Sequence, residues 1–204
     1  MEQLRHFTQS CFLIEGGKKT IMVDPFKVAQ RGLPQADILL ITHPHFDHYS
    51  IEDIEAVSGE HTTVITSHDI TEVPGKVKEH KTMHPGDTLN VDDINIEATH
   101  AYNEDKSYHP KENQWLGFIV STPEKSYFFA GDCDRIPELK RARAVDYACV
   151  PISGTYVMNA EEAADAIIKD ITPKKAIPCH FGEVVGSLDD AVRFVGYVTD
   201  EDIE

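Results

Sequence analysis

The segment HPHFDH concentrates four side chains that can bind metal, His43, His45, Asp47 and His48. Histidine is scarce in the chain, with 11 in 204 residues, and three of them lie in this segment. Imidazole nitrogen and carboxylate oxygen are ligands that zinc and similar divalent ions accept. In an extended chain, side chains two positions apart point the same way, as His43 and His45 would. Asp47 and His48 are adjacent and would point in different directions. This pattern suits two ions that share a site better than one ion in a closed cage.

One loop cannot complete two coordination spheres, so further ligands must come from elsewhere in the chain. Asp132 follows the apolar run in FFAGD, and His180 follows the apolar run in KAIPCH. Each therefore comes where a predicted strand ends, as the HPHFDH loop does, and α/β sheets commonly place their sites at such ends. We expect both residues to join the metal site.

Short apolar runs between Gly, Pro and Asp breaks predict the strands that position these loops. The predicted strands are 11–15, 20–24, 37–42, 62–67, 94–99, 117–122, 126–131, 146–152 and 175–179. Helical patterns predict helices at 51–57, 134–143, 159–171 and 188–198, with Ser50 and Asn159 as N-caps. Strands in runs with helices at intervals indicate an α/β layered fold, and the length predicts one domain over 1–204.

Charge and hydropathy exclude several classes of partner. A formal net charge of −16 argues against nucleic acid or an anionic membrane. No stretch has the run of about 18 apolar residues that a membrane span needs. The start, MEQLRHFTQSCF, lacks the features of a signal peptide, so we expect a cytoplasmic protein.

The four cysteines lie far apart and form no CxxC pair, so we expect free thiols. Cys133 and Cys179 each adjoin a candidate ligand. The residue type alone favours small packing residues over nucleophiles at both positions.

HPHFDH matches the HxHxDH signature of the metallo-β-lactamase fold, and GD at 131–132 and CH at 179–180 match its later metal motifs in order and spacing. The segments SCFLIEGGKKTIMVDPF, FFAGDCDRIPEL, VPISGTYVMNAEEA and IPCHFG resemble a small cytosolic branch that includes the L-ascorbate-6-phosphate lactonase-like proteins. The likeness covers most of residues 7–185. It implies a four-layer αββα sandwich, with two sheets packed face to face and helices outside.

The resemblance also implies a dinuclear metal centre. The ligands of the first ion would be His43, His45 and a third histidine, and those of the second Asp47, His48 and His180, with Asp132 as the bridge. Zinc is the first expectation for both ions, and manganese and iron suit the same ligands.

The third histidine is where this chain departs from the family's pattern. The branch usually has a histidine at the end of a phrase like PAxH, but here the segment ATHAYN offers Asn103. His100 and His109, the latter in SYHPKENQW, are the available replacements. We favour His109, because relatives with AYN carry the downstream HPK and His100 falls where proline is frequent.

Two metal ions would lower the pKa of a bridging water and polarise a substrate oxygen. Asp47 is assigned the catalytic role, since it could ligate, orient the nucleophile or accept its proton. Asp24 is interpreted either as an acceptor that orients a ligand histidine or as a turn residue before proline. Thr155 and Tyr156 in SGTY would contact substrate or simply connect a strand to a helix.

The leading hypothesis is a metal-dependent hydrolase for a small ester, lactone or phosphodiester. A nuclease of this fold typically needs a basic groove and an added domain, yet Cys179 follows Asp132 by only 47 positions. A non-catalytic module that binds metal or ligand is the alternative from another class. The expected partner is a small-molecule substrate, and a homo-oligomer is compatible with the sequence.

Overall fold

The computed structural model describes residues 3–199 and 203–204. The chain forms two compact units, Met1–Met83 and His84–Glu204. Each contains one six-stranded sheet. None of the helices in the described residues has the length and apolar character needed to cross a lipid bilayer.

The sheet of the first unit has its strands in the order of the sequence. They are β1 (Gln3–Thr8), β2 (Cys11–Glu15), β3 (Ile21–Val23), β4 (Ile38–Ile41), β5 (Thr63–Ser67) and β6 (Glu79–Met83). Helix α1 (Ile51–Val57) starts at Ser50, whose side chain accepts from the backbone N–H of Asp53. Its residues Ile54 and Val57 share a buried apolar cluster with Leu39 of β4, so the helix packs on this sheet.

Strands β3, β4, β5 and β6 are mutually parallel. Their carboxyl ends therefore lie at the same end of the sheet. Asp24 follows β3, and Thr42 with the HPHFDH segment follows β4. The topology thus places the first candidate ligands beside Asp24.

The sheet of the second unit has the order β12-β11-β10-β9-β8-β7. Its strands are β7 (Thr88–Val91), β8 (Ile94–His100), β9 (Leu116–Ser121), β10 (Ser126–Phe129), β11 (Tyr147–Pro151) and β12 (Lys175–Cys179). The helices are α2 (Ala160–Ala166), extended by a π-helical turn (Ile167–Ile171), and α3 (Leu188–Val198). Short 3-10 turns span Lys111–Asn113 and Pro137–Ala142.

Helix α2 begins at Asn159 with a capping box in which Glu162 bonds back to the Asn159 backbone. Ala163 of α2 and Phe194 of α3 lie in one buried cluster with Val150 of β11, so both helices cover the second sheet.

Strands β10, β11 and β12 are parallel to one another, and β8 runs the same way because both β8 and β10 are antiparallel to β9. The residues that follow these four strands therefore lie at the same end of the sheet, where the strands have their carboxyl ends. This end of the sheet carries the 101–109 segment, Asp132, Ser153 and His180.

All nine predicted strands and the helices at 51–57, 159–171 and 188–198 are present. Three strands were not predicted, β1, β6 and β7, and each lies at an edge of its sheet. These three strands (QLRHFT, EHKTM and TLNV) are rich in polar residues and lack the apolar runs that reveal the other strands, including the edge strand β12. The helix predicted at 134–143 is wrong. A 3-10 turn replaces it, and its buried residues Leu139 and Ala142 are three apart, which matches the 3-10 repeat.

All four cysteines are buried free thiols, as predicted. Burial raises the pKa of Cys11 to about 12 and that of Cys133 and Cys149 well above the usual value.

Because only the thiolate reacts, we expect the native protein to resist a thiol reagent such as DTNB near pH ~8. The unfolded protein, as the control, should titrate all four thiols. Rapid modification of a native cysteine would show an exposed thiolate and contradict this prediction.

Candidate metal centre

The first set of candidate ligands, in the HPHFDH loop, rests on the carboxylate of Asp24. Its Oδ1 accepts from the Thr42 backbone N–H (2.8 Å), and its Oδ2 accepts from the Thr42 hydroxyl (2.7 Å). The same Oδ2 lies 2.7 Å from Nδ1 of His48. Burial raises the pKa of Asp24, while His48 and the Thr42 hydrogen bonds oppose that rise. Asp24 is therefore a buried acceptor for three groups, in addition to being a turn residue before proline.

These contacts fix which ring nitrogen of His43 and His48 carries the proton. The Thr42 hydroxyl donates its hydrogen to Asp24, so it accepts from His43 Nδ1, which lies 2.9 Å away. Asp24 accepts from Nδ1 of His48. Both rings, when neutral, therefore have the lone pair on Nε2, the nitrogen that can bind a metal.

His45 differs from these two rings. Its Nδ1 lies 3.0 Å from Nε2 of His43. With metal to nitrogen distances of about 2.0–2.1 Å, two nitrogens this close can bind the same ion. Phe46, the next residue, is 65% exposed and touches Phe26 edge to face.

Asp47 is buried, and its Oδ2 lies 3.8 Å from Nε2 of His48. Gln9, in the β1–β2 turn, donates from Nε2 to the same oxygen at 3.3 Å. Gln9 is fully buried with a left-handed backbone (φ 46°). Sequence reasoning missed it, because TQSC has the composition of an ordinary surface turn.

The second set of candidate ligands, His109, Asp132 and His180, is buried at the strand ends of the second unit. Oδ2 of Asp132 lies 3.2 Å from Nε2 of His109 and 3.0 Å from Nε2 of His180. Gly131 allows this approach, since a Cβ there would lie 2.4 Å from the Leu116 carbonyl oxygen. The three residues thus converge on one point through the nitrogens and oxygens that bind metals.

His180 has an uncommon left-handed backbone (φ 57°) directly after β12. Its Nδ1 lies 3.2 Å from the Ser153 hydroxyl, at the end of β11. Ser153 therefore contacts a candidate ligand.

His100 and His109, the alternatives for the third histidine, lie in different surroundings. His109 is buried against Asp132, as described above. His100 is half-buried and lines a pocket of about 450 Å³ with Pro137 and Arg141. None of the other candidate ligands is among the described residues that line this pocket. Asn103, the third alternative, contacts His109 through its side-chain oxygen.

The predicted substrate residues lie on the surface of the second unit. Thr155 is exposed, and Tyr156 packs edge to face against Tyr108, with ring centroids 4.6 Å apart. Lys106, a loop cation close to them in sequence, forms ion pairs with Asp105 and Asp134.

Four candidate histidines share one arrangement in which Nδ1 contacts a hydroxyl, carboxylate or amide oxygen. The contacting residues are Thr42 for His43, Asp24 for His48, Asn103 for His109 and Ser153 for His180. Metal-binding histidines in proteins are usually held in this way, with the other ring nitrogen hydrogen-bonded to a carboxylate, carbonyl or water. The donor set therefore fits divalent metal ions.

Comparison with known proteins identifies the class. Residues 3–180 match the family described as Beta-lactamase superfamily domain, and the chain belongs to that superfamily. A solved structure from Parabacteroides distasonis, described as a candidate metal-dependent hydrolase, has a TM-score of 0.86 and 27% identity, and the match covers 100% of this chain and 90% of that one. The predicted α/β fold of the metallo-β-lactamase type is confirmed.

More specific similarity is to proteins named UPF0173. A UPF0173 metal-dependent hydrolase of Thermoplasma acidophilum is 32% identical over 84% of this chain and 80% of its own length. A UPF0173 protein of Pyrococcus abyssi is 30% identical over 88% of this chain and 83% of its own length. A metallo hydrolase of Ignicoccus hospitalis shares the fold, with a TM-score of 0.77 at 22% identity, over 98% of this chain and 91% of that one.

Proposed function

We propose that the chain is a metal-dependent hydrolase that uses two divalent ions, zinc in the first instance, on a small ester, lactone or phosphodiester. The observation that carries this proposal is the common arrangement of His43, His48, His109 and His180, whose Nδ1 atoms contact polar side chains. An ordinary buried histidine needs no such repeated pattern. The relatives named metal-dependent hydrolases support the same reaction class.

The proposed ligands combine both sets. His43, His45 and His109 would hold one ion, Asp47, His48 and His180 would hold the second, and Asp132 would bridge them. Manganese and iron remain alternatives to zinc, because the same nitrogen and oxygen ligands accept all three. The contact between His109 and Asp132 supports His109 as the third histidine.

Bound ions of this kind would make a water more acidic and polarise the oxygen of the bond to be cleaved. Asp47 is the proposed catalytic residue, as the carboxylate that orients the attacking water and accepts its proton. Gln9 holds one carboxylate oxygen of Asp47, which limits rotation of the group. Asp24 keeps His48 and, through Thr42, His43 in the tautomers that bind metal.

For the substrate we favour an ester or lactone, the chemistry of the lactonase-like branch, over a phosphodiester. An anionic substrate would need free cations, but Lys106, Lys111 and Arg135 each form ion pairs with carboxylates. The net charge of −16 also disfavours a highly charged substrate. Thr155 and Tyr156 are proposed to contact the part of the substrate that does not react.

The four free thiols agree with a cytoplasmic location, where thiols stay reduced.

The direct test is metal content per chain, measured by elemental mass spectrometry on protein purified without chelator or added metal. We expect about two equivalents and hydrolysis of model esters or lactones, because the proposed site holds two ions. Removal of the metal by chelation should abolish hydrolysis, and added metal should restore it.

The outcome of reconstitution separates the alternatives. One equivalent or less, unchanged by excess metal, would contradict the dinuclear site. Two equivalents without turnover on any ester, lactone or phosphodiester would favour a module that binds metal without catalysis. Failure to retain any metal would overturn the proposal.

A further inference from the structure

Asn103 closes the seven-residue loop 103–109 with its backbone and side chain. Its backbone N–H donates to the His109 carbonyl oxygen (2.8 Å). Its Oδ1 accepts from the His109 backbone N–H (3.0 Å) and lies 3.0 Å from His109 Nδ1. Asn103 is buried, so these contacts are shielded from competing water.

Two separate contacts determine which way the Asn103 amide points. Its Nδ2 donates to the backbone carbonyl oxygen of Tyr156 (3.0 Å), an atom that can only accept. On the other side, the His109 backbone N–H can only donate and therefore requires Oδ1. Both contacts select the same orientation of the amide.

This orientation fixes the tautomer of His109. Since Oδ1 is an acceptor, His109 Nδ1 must carry a hydrogen to bond with it. In the neutral ring Nε2 then carries the lone pair, and Nε2 is the nitrogen that faces Asp132 at 3.2 Å. The backbone carbonyl of Tyr156 thus determines, through Asn103, which nitrogen of His109 can bind a metal.

We propose that Asn103 is a positioning residue that holds His109 in the Nδ1–H tautomer for metal binding, and that it is not itself a metal ligand. The role of His109 as a ligand rests on the proposed function, but the tautomer can be measured without metal. The resemblance to the lactonase-like branch implies that Asn103 stands where that branch usually has its histidine. In this chain that position orients a histidine six residues later.

The loop has a second anchor that provides a matched control. Asp134 accepts from the Glu104 backbone N–H (2.9 Å) and from Lys106 Nζ (2.5 Å). The substitution Lys106→Met loosens the same loop without removing a contact to His109. If Asn103 acted only by ordering the loop, Lys106→Met and Asn103→Leu would have similar effects.

The first experiment measures the tautomer in metal-free protein that contains 15N-labelled histidine. Long-range proton–nitrogen correlation spectra near pH ~8 distinguish a protonated nitrogen from one with a lone pair, and His109→Gln identifies the His109 signals. We expect Nδ1–H in the wild type, in Lys106→Met and in Asn103→Asp, which keeps the acceptor. Asn103→Leu should shift the ring towards Nε2–H. A wild-type ring that carries hydrogen on Nε2 and none on Nδ1, or no change in Asn103→Leu, would overturn the proposal.

The second experiment measures zinc affinity by competition with a chromophoric chelator. Loss of a partner that orients a ligand typically weakens metal binding by about 10–100-fold, which we expect for Asn103→Leu. Asn103→Asp and Lys106→Met should bind zinc about as tightly as the wild type. Equal weakening in Lys106→Met and Asn103→Leu would assign the effect to loop order. If the wild type bound no metal, the proposed function would fail, while the tautomer result would still decide the role of Asn103.

Discussion

The Asp47→Ala variant is expected to lose about 10²–10⁴-fold in kcat, the range associated with removal of a general acid or base. Asp47 is buried, its carboxylate is held by Gln9, and it lies beside His48. Alanine can neither orient a water nor accept its proton. The loss should therefore appear in kcat for every substrate of the wild type, and steady-state kinetics on a model ester or lactone would measure it.

Glu55→Ala is the matched control, since it also removes one carboxylate but from an exposed position on α1. It should leave kcat at the wild-type value. Metal content must be measured in the same preparations, because Asp47 is also a proposed ligand. An Asp47→Ala enzyme that keeps wild-type kcat would remove Asp47 from the mechanism. If Asp47→Ala lost turnover but still bound metal and substrate as the wild type does, Asp47 would serve catalysis and not binding alone.

The parts of the fold that the sequence predicted are those governed by short-range patterns. Central strands such as β4 and β11 are apolar because both faces are buried, and α1 and α2 carry N-caps in the sequence itself. Strands β1, β6 and β7 escaped because they are rich in polar residues and most of their residues are exposed or only partly buried. β6, with the sequence EHKTM, has only Met83 fully buried, and nothing in its residue types distinguishes it from a loop.

The ligands of the site could be proposed from sequence because they follow buried strands in recognisable motifs. Asp24, before Pro25, could also be proposed as a residue that orients a ligand, but the other residues that hold those ligands could not. Gln9, Thr42 and Ser153 are common residue types in turns or strand ends, and their contacts come from distant segments brought together by the sheets. The sequence offered Asn103 as an alternative at the third ligand position, and the contacts of its amide support the positioning role proposed above.

The variants His109→Gln and His100→Gln are expected to differ clearly in the metal that they retain. His109 is buried with Nε2 at 3.2 Å from Asp132, whereas His100 is half-buried and lines a pocket with Pro137. Replacing His109 should weaken binding of one metal ion by more than the ~10–100-fold that loss of an orienting partner causes, because a ligand is removed outright. Replacing His100 should leave both ions in place.

Metal equivalents and kcat should be measured together for the two variants. His109→Gln is expected to retain about one equivalent and to lose most of its turnover, because two ions are needed to activate water and polarise the substrate. His100→Gln serves as the matched control, with the same substitution nine residues earlier and about two equivalents retained. The reverse result, with metal lost only from His100→Gln, would make His100 the third histidine. Loss from neither variant would mean that the first ion is held without a third histidine, and the contact between Asn103 and His109 would then have another purpose.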